Sequence, residues 1–237
     1  MPDKPGQGTQ KDAWRELVQE ALNPSGIELE RVLPGKTDAL IGKLANAYDG
    51  LEEAGIRLKA AYPADRRKGP EWKAVQYSWQ LLWGAANALV GGFTLLQRGY
   101  PGETLAVGRV AMERFLAAVL LHDNPEIVAR FEAGELERLY SPGVGPVSRV
   151  VKDFGAVWGK LSTLGTHVSR ANVTTIIIED DEDGPPQLRI GGHIGTGEVE
   201  TQTWEKITNL YLWMAQIVAT APHQIFFSTE RKRARLA

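Results

Sequence analysis

Apolar residues recur at intervals of three and four along most of the chain, and proline and glycine punctuate the runs between them. The first run, residues 11–22, places Trp14, Leu17, Val18 and Leu22 on one face, and the Asn23-Pro24-Ser25-Gly26 sequence stops it. After a connector the period returns over residues 37–62, with Leu40, Ile41, Leu44, Tyr48 and Leu51 in register, until Pro63 closes the helix. A charged loop of residues 63–70 leads to a helix over 71–97, and Pro101 suits the first turn of the next one, which runs to about 122. Asn124-Pro125 opens a further helix expected to reach about 139, and Val147, Val150, Val151, Phe154, Trp158 and Leu161 share one arc of a helix over 147–163.

The period then changes. Residues 173–178 are mostly β-branched, 179–186 form an acidic turn ending in Gly184-Pro185-Pro186, and 187–194 alternate weakly, which predicts a β-hairpin over about 173–194. Residues 198–226 return to the helical period, with Trp204, Ile207, Leu210, Tyr211, Met214, Ile217 and Val218 on the apolar face. The expected fold is therefore mainly α, a helical bundle with an inserted hairpin. A short-helix arm over 1–35 precedes one domain over 36–228, and a basic tail fills 229–237.

Two features of the pattern need chemistry to interpret. Between Lys73 and Arg98 no charged residue occurs, a run long enough to cross a bilayer as a helix. It contains Gln76, Ser78, Gln80, Asn87, Thr94 and Gln97, however, and its small residues (Gly84, Ala85, Ala86, Ala88, Gly91, Gly92) suit close helix approach, so a buried central helix without membrane insertion is expected. The second feature is a charge on an apolar face. On a wheel started at Leu105, Met112, Leu116, Val119 and Leu120 share one arc, and Arg109 falls within it at about 40°. Arg109 is expected to be buried with Glu113, one turn on, as its partner.

Composition narrows the function classes. The 237 residues, 43% hydrophobic and 24% charged, are those of an ordinary globular chain, and a net charge of -2 gives no global attraction to nucleic acid or anionic membrane. The absence of cysteine removes disulfides, thiolate metal sites and cysteine nucleophiles, and fits a cytoplasmic location. The polar start of the chain shows no apolar signal run. The four histidines, at 122, 167, 193 and 223, lack zinc-ligand spacing, and neither a metal nor a cofactor is expected. Residues 191–198 hold four glycines between strand and helix, but Glu198 stands where a phosphate loop needs lysine, and the acidic run 179–183 lacks calcium-loop spacing.

The order Gly99-x-x-Gly102-Glu103, Arg109-x-x-x-Glu113, Asp123-x-Pro125-Glu126, Trp158-x-x-Leu161-Ser162 and His167-Val168-Ser169 resembles a bacterial family of unassigned function with a HEPN-like helical bundle. The likeness covers residues 71–170. It implies a bundle of four to five helices, frequent homodimerisation and, in the active ribonucleases of that fold, an arginine followed after a short gap by a histidine at the dimer interface. Here residues 160–166 hold no arginine before His167, and Arg170 follows it.

Metal-independent RNA cleavage needs an acid or base at the 2′-hydroxyl and a cation for the developing charge. His167 is the candidate catalytic residue for such chemistry. Arg109, Glu113, Ser162 and Ser169 form a candidate polar core, either ligand-binding or structural. The basic clusters Arg66-Arg67-Lys68 and Arg231-Lys232-Arg233 are candidate RNA contacts. The sequence points first to a non-catalytic binding or interaction module, a homodimer, with a HEPN-type RNA-processing enzyme, toxin or antiphage effector as the alternative.

Overall fold

The structure is a computed structural model that describes residues 29–30, 33–98, 100–135, 154–155, 158–159, 161, 176–179, 187–190 and 198–227. Four long helices carry the described core. Helix α1 spans Lys36–Ala61, α2 Gly69–Gln97 and α3 Pro101–Asp123. A short α4 spans Val128–Glu132, and α5 spans Glu198–Pro222. The arm over 1–28 and the tail from 228 onward lie outside the described residues.

Each helix begins and ends for local reasons. Gly35 precedes α1 with a left-handed φ of 75°, and the Glu30 carboxylate accepts its N–H at 2.6 Å. That bond is the main reason the Glu30 carboxyl is held below its usual range. Asp38 in the first turn of α1 and Lys59 in the last complement the helix dipole. Pro70 and Pro101 sit in the first turns of α2 and α3, where a missing N–H costs nothing.

The helix expected over 125–139 closes much earlier. After a 3-10 turn at Pro125–Ile127, α4 ends at Glu132. Gly134 turns left-handed at φ 74°, and the Gly134 and Glu135 N–H groups donate back to the Phe131 and Arg130 carbonyls. This reciprocal pair is a glycine C-cap, which satisfies carbonyls that a longer helix would have used. The apolar period continues past Gly134, but the left-handed glycine ends the helix.

The apolar face of each long helix is the buried one. Leu40, Ile41, Leu44, Tyr48 and Leu51 of α1 join Leu82, Leu89, Phe93 and Leu96 of α2, Met112, Phe115 and Leu116 of α3, and Tyr211, Met214 and Val218 of α5 in one core. The most extensive interface is α2 on α3, while α5 lies against α1, α2 and α3 together. Thus one face of the uncharged run of α2 lies inside the bundle. No described helix is long and apolar enough to cross a membrane.

Two four-residue strands, β1 (Ile176–Glu179) and β2 (Gln187–Ile190), pair antiparallel with Ile176 opposite Ile190 and Glu179 opposite Gln187. The residues between them lie outside the described set. At the far end of α5, Pro222 withholds one backbone donor and the chain widens into a π turn at His223–Phe227.

The close approach expected from the small residues of α2 has a specific occupant. Tyr211 of α5 is fully buried, and its hydroxyl donates to the Thr104 carbonyl of α3 at 2.7 Å. A Cβ at Gly92 would stand 1.9 Å from that hydroxyl oxygen, and one at Gly108 would stand 2.9 Å from Met214 Cε and 3.2 Å from the ring. The two glycines are therefore a notch for one phenol. Gly91, beside it, has nothing within 4 Å of its missing Cβ.

Substitution to alanine should accordingly have opposite signs at adjacent positions. Gly91→Ala is expected to stabilise by about 0.5–1 kcal/mol, since alanine loses less backbone entropy in a helix. Gly92→Ala is expected to destabilise by about 1–3 kcal/mol, because Tyr211 must move and surrender its hydrogen bond. Urea unfolding of both variants measures this, and shifts of the same sign would refute the notch.

Candidate functional site

The arginine singled out by the sequence forms the expected pair but not in the expected place. Arg109 Nε donates to Glu113 Oε1 at 3.0 Å, across one turn of α3. Their side chains are 27% and 29% exposed, so the pair is half-buried rather than sealed in the core. The reason lies in which flank the neighbours cover. Leu105, Met112, Leu116 and Val119 face the packed helices, whereas Val110, next to Arg109, is 41% exposed and marks the open side.

Arg109 is covered by an aromatic ring from further along the chain. Its guanidinium lies over the Trp158 ring, 5.5 Å from the centroid. Trp158 stacks on Phe154, which is buried and packs against Phe115 of α3. The two parts of the sequence pattern, Arg109 with Glu113 and the Trp158 segment, therefore meet. Ser162, His167 and Ser169 lie outside the described residues, so their relation to this pair is not part of the described structure.

The basic cluster of the 63–70 loop is divided in role. Arg67 donates from Nε to the Tyr62 carbonyl at 2.8 Å and from Nη2 to the Lys59 carbonyl at 3.2 Å. Its guanidinium also covers the Trp72 ring at 5.7 Å, so it braces the α1–α2 connection. Arg66 and Lys68 are exposed. Arg231, Lys232 and Arg233 lie outside the described residues. Among the described residues no group of three or more histidine, aspartate or glutamate side chains is placed to hold a metal.

The face shared by α1 and α2 holds a concavity. A groove of about 420 Å³ runs between the second half of α1 and the first half of α2. Trp72, Trp79 and Trp83 line it from α2, with Ile56 and Leu58 opposite on α1. Ile56 is 65% exposed there, unusual for a large aliphatic side chain. Gln76 and Gln80 of α2, and Glu52, Lys59 and Arg67, give the lining its polar groups.

Two local constraints shape the groove. Gly55 lets the Trp79 ring lie against the α1 backbone, since a Cβ there would meet ring carbon Cζ2 at 3.0 Å. Trp79 Nε1 then donates to the Leu51 carbonyl at 2.9 Å, which fixes the ring. Trp83 packs at 5.3 Å against Tyr48 and edge-on at 6.0 Å against Trp79. Tyr48 donates to Asn87 Oδ1 at 2.7 Å, and burial pushes its hydroxyl up to about 12. The sequence did carry a signal for this wall: Trp72, Trp79 and Trp83 recur at seven and four residues, within about 40° on a helical wheel.

A third polar cluster links α2 to α4 at the surface. Lys73 Nζ and the Tyr77 hydroxyl both donate to Glu132 Oε1, each at 2.8 Å. The Lys73 hydrogen bond, then that of Tyr77, holds the Glu132 carboxyl below its usual range. The same contacts raise Lys73 and Tyr77. Arg114 also donates from Nη1 to the Gly84 carbonyl of α2 at 2.5 Å, an inter-helix tie with no sequence signature.

For Arg109, a double-mutant cycle of Arg109→Ala and Glu113→Ala should return a coupling of about 0.3–0.5 kcal/mol, as for an exposed helical pair. Arg109→Ala alone should cost about 1 kcal/mol, because the contact with the Trp158 ring goes too. A coupling of several kcal/mol would instead indicate a sealed pair.

For Glu132, the lowered carboxyl means a stabilising contribution that is fully present above the unfolded-state value and lost as pH falls through the folded one. NMR titration should place the Glu132 midpoint below that of an ordinary glutamate. Lys73→Gln should move it upward, and an unchanged midpoint would refute the contact.

Comparison with protein-family models, with curated proteins and with solved structures returned no match to this chain.

Proposed function

We propose that this protein is a non-catalytic binding module built on a HEPN-like helical bundle, with the tryptophan-lined groove between α1 and α2 as its ligand site. The groove carries the reading. Its volume of about 420 Å³ falls in the range of small-molecule pockets, and it combines an apolar wall with a few polar groups, as such sites do. The wall is preorganised, since the Gly55 gap and the Leu51 carbonyl hold Trp79 before any ligand arrives.

The resemblance over residues 71–170 supplies the rest of this reading. It supports the bundle class and a homodimer, while the lack of cysteine supports a cytoplasmic location and the β-branched run 173–178 supports β1 and β2 as the two arms of a hairpin inserted before α5. The polar pair on α3 is then a structural element. Arg109 spends its guanidinium on Glu113 and on the Trp158 ring, both from its own chain.

The second reading, a HEPN-type ribonuclease using His167, draws on the same motif order and on the partial exposure of Arg109. The two readings part on one experiment. Total RNA and short single strands are incubated with the purified full chain and with His167→Ala, and the products are resolved on a denaturing gel. Neither protein is expected to cleave. Cleavage by the parent that disappears in the variant would overturn the binding-module reading and establish the enzyme.

A further inference from the structure

The groove is not electrically neutral, and its asymmetry selects a ligand. Glu52 and Lys59 both line it from α1, seven residues and about 10 Å of helix apart. Arg67 enters at the Lys59 end, where its Nη2 donates to the Lys59 carbonyl. One end of the slot therefore carries two cations. Glu52, the acidic lining residue, already has a partner.

The donors at the cationic end are only partly used. Arg67 commits Nε and one Nη2 hydrogen to backbone carbonyls, and a guanidinium has five N–H donors. The Lys59 ammonium has no hydrogen-bond or ion-pair partner among the described residues. Arg67 also fills the face of Trp72 from which an aromatic ring attracts cations. A cationic guest would meet the chain's own guanidinium where an aromatic cage needs a vacancy. Trp79 and Trp83 leave an aromatic wall with its indole N–H at position 79 already bonded to protein, so that wall offers surface rather than hydrogen bonds.

We infer that the groove binds a planar aromatic carboxylate, its ring against Trp79 and Trp83 and its carboxylate on Lys59 and Arg67. This rests on the reading of the groove as the ligand site and adds the class of ligand. Aromatic stacking and apolar burial supply the affinity, and the paired cations set orientation and sign. Because the cations stand at an open rim, the charge-dependent part of the affinity falls as salt rises.

The test uses three probes of one shape on the full-length protein: 1-naphthoate, 1-naphthamide and 1-naphthylmethylammonium, followed by calorimetry and tryptophan fluorescence. Naphthoate is expected to bind with a stoichiometry of one per chain and to perturb tryptophan emission. The amide should bind about fivefold more weakly, the worth of one favourable charge contact at a partly exposed site, and the ammonium more weakly still.

Lys59→Gln and Arg67→Gln should each reduce the preference for acid over amide while leaving amide binding in place. Arg67→Gln also removes a brace of the α1–α2 connection, so Lys59→Gln is the variant that keeps the question open if the other fails to fold. Trp83→Leu, checked for native helix content by circular dichroism, should weaken both probes, since it removes part of the wall on which the ring lies.

Equal affinity for acid and amide, or an acid preference that survives Lys59→Gln unchanged, would overturn the carboxylate assignment while leaving the groove as a ligand site. Binding of none of the three probes would overturn the assignment as well. Neither result would produce RNA cleavage, the outcome on which the binding-module reading itself fails.

Discussion

One buried phenol holds the bundle at its present spacing. The Tyr211 hydroxyl enters a notch made by Gly92 on α2 and Gly108 on α3 and donates to the Thr104 carbonyl, while the Thr104 hydroxyl lies 3.1 Å from the Gly92 carbonyl. Three helices therefore meet around two linked polar contacts inside the core. A buried hydroxyl without a partner costs far more than the bond itself returns, so the arrangement tolerates little sliding. Burial raises the Tyr211 hydroxyl well above the ordinary tyrosine range, which keeps it a neutral donor at every physiological pH.

That constraint propagates to the surface. With α5 seated on all three long helices, the pitch of α2 is fixed, and its tryptophan stripe is left partly uncovered beside the second half of α1. The same rotation that sends Leu82, Leu89 and Phe93 inward turns Trp72, Trp79 and Trp83 toward the groove. Gly55 answers on the other side by admitting the Trp79 ring. The groove is thus a consequence of core packing rather than a loop-built pocket, and rigid elements present ligand groups more accurately than loops do.

Much of the fold was legible in the chain because helical burial is periodic. The buried positions of α1 and of α5 are the ones the spacing of apolar residues picks out, and Pro63, Pro70 and Pro101 mark helix ends where backbone chemistry requires them. The candidate site was less legible. Arg109 and Glu113 were found as a pair because an i, i+4 relation is local, but their burial was overestimated, since a wheel shows direction and not what covers that direction. Trp158 supplies part of that cover from a segment 49 residues further along the chain.

The sequence by itself determined the helical class, the helix ends marked by proline and the identity of the inward faces, all of which depend on contacts within about four residues. Only tertiary structure decided that Gly92 and Gly108 admit the same side chain, since Tyr211 reaches Thr104 across 107 residues. It alone brought Lys59 and Arg67 to one end of a tryptophan wall and opened Arg109 to solvent on one flank. The physical reason is the same in each case: periodicity says which way a side chain points, and only the packed neighbours say whether anything is there to meet it.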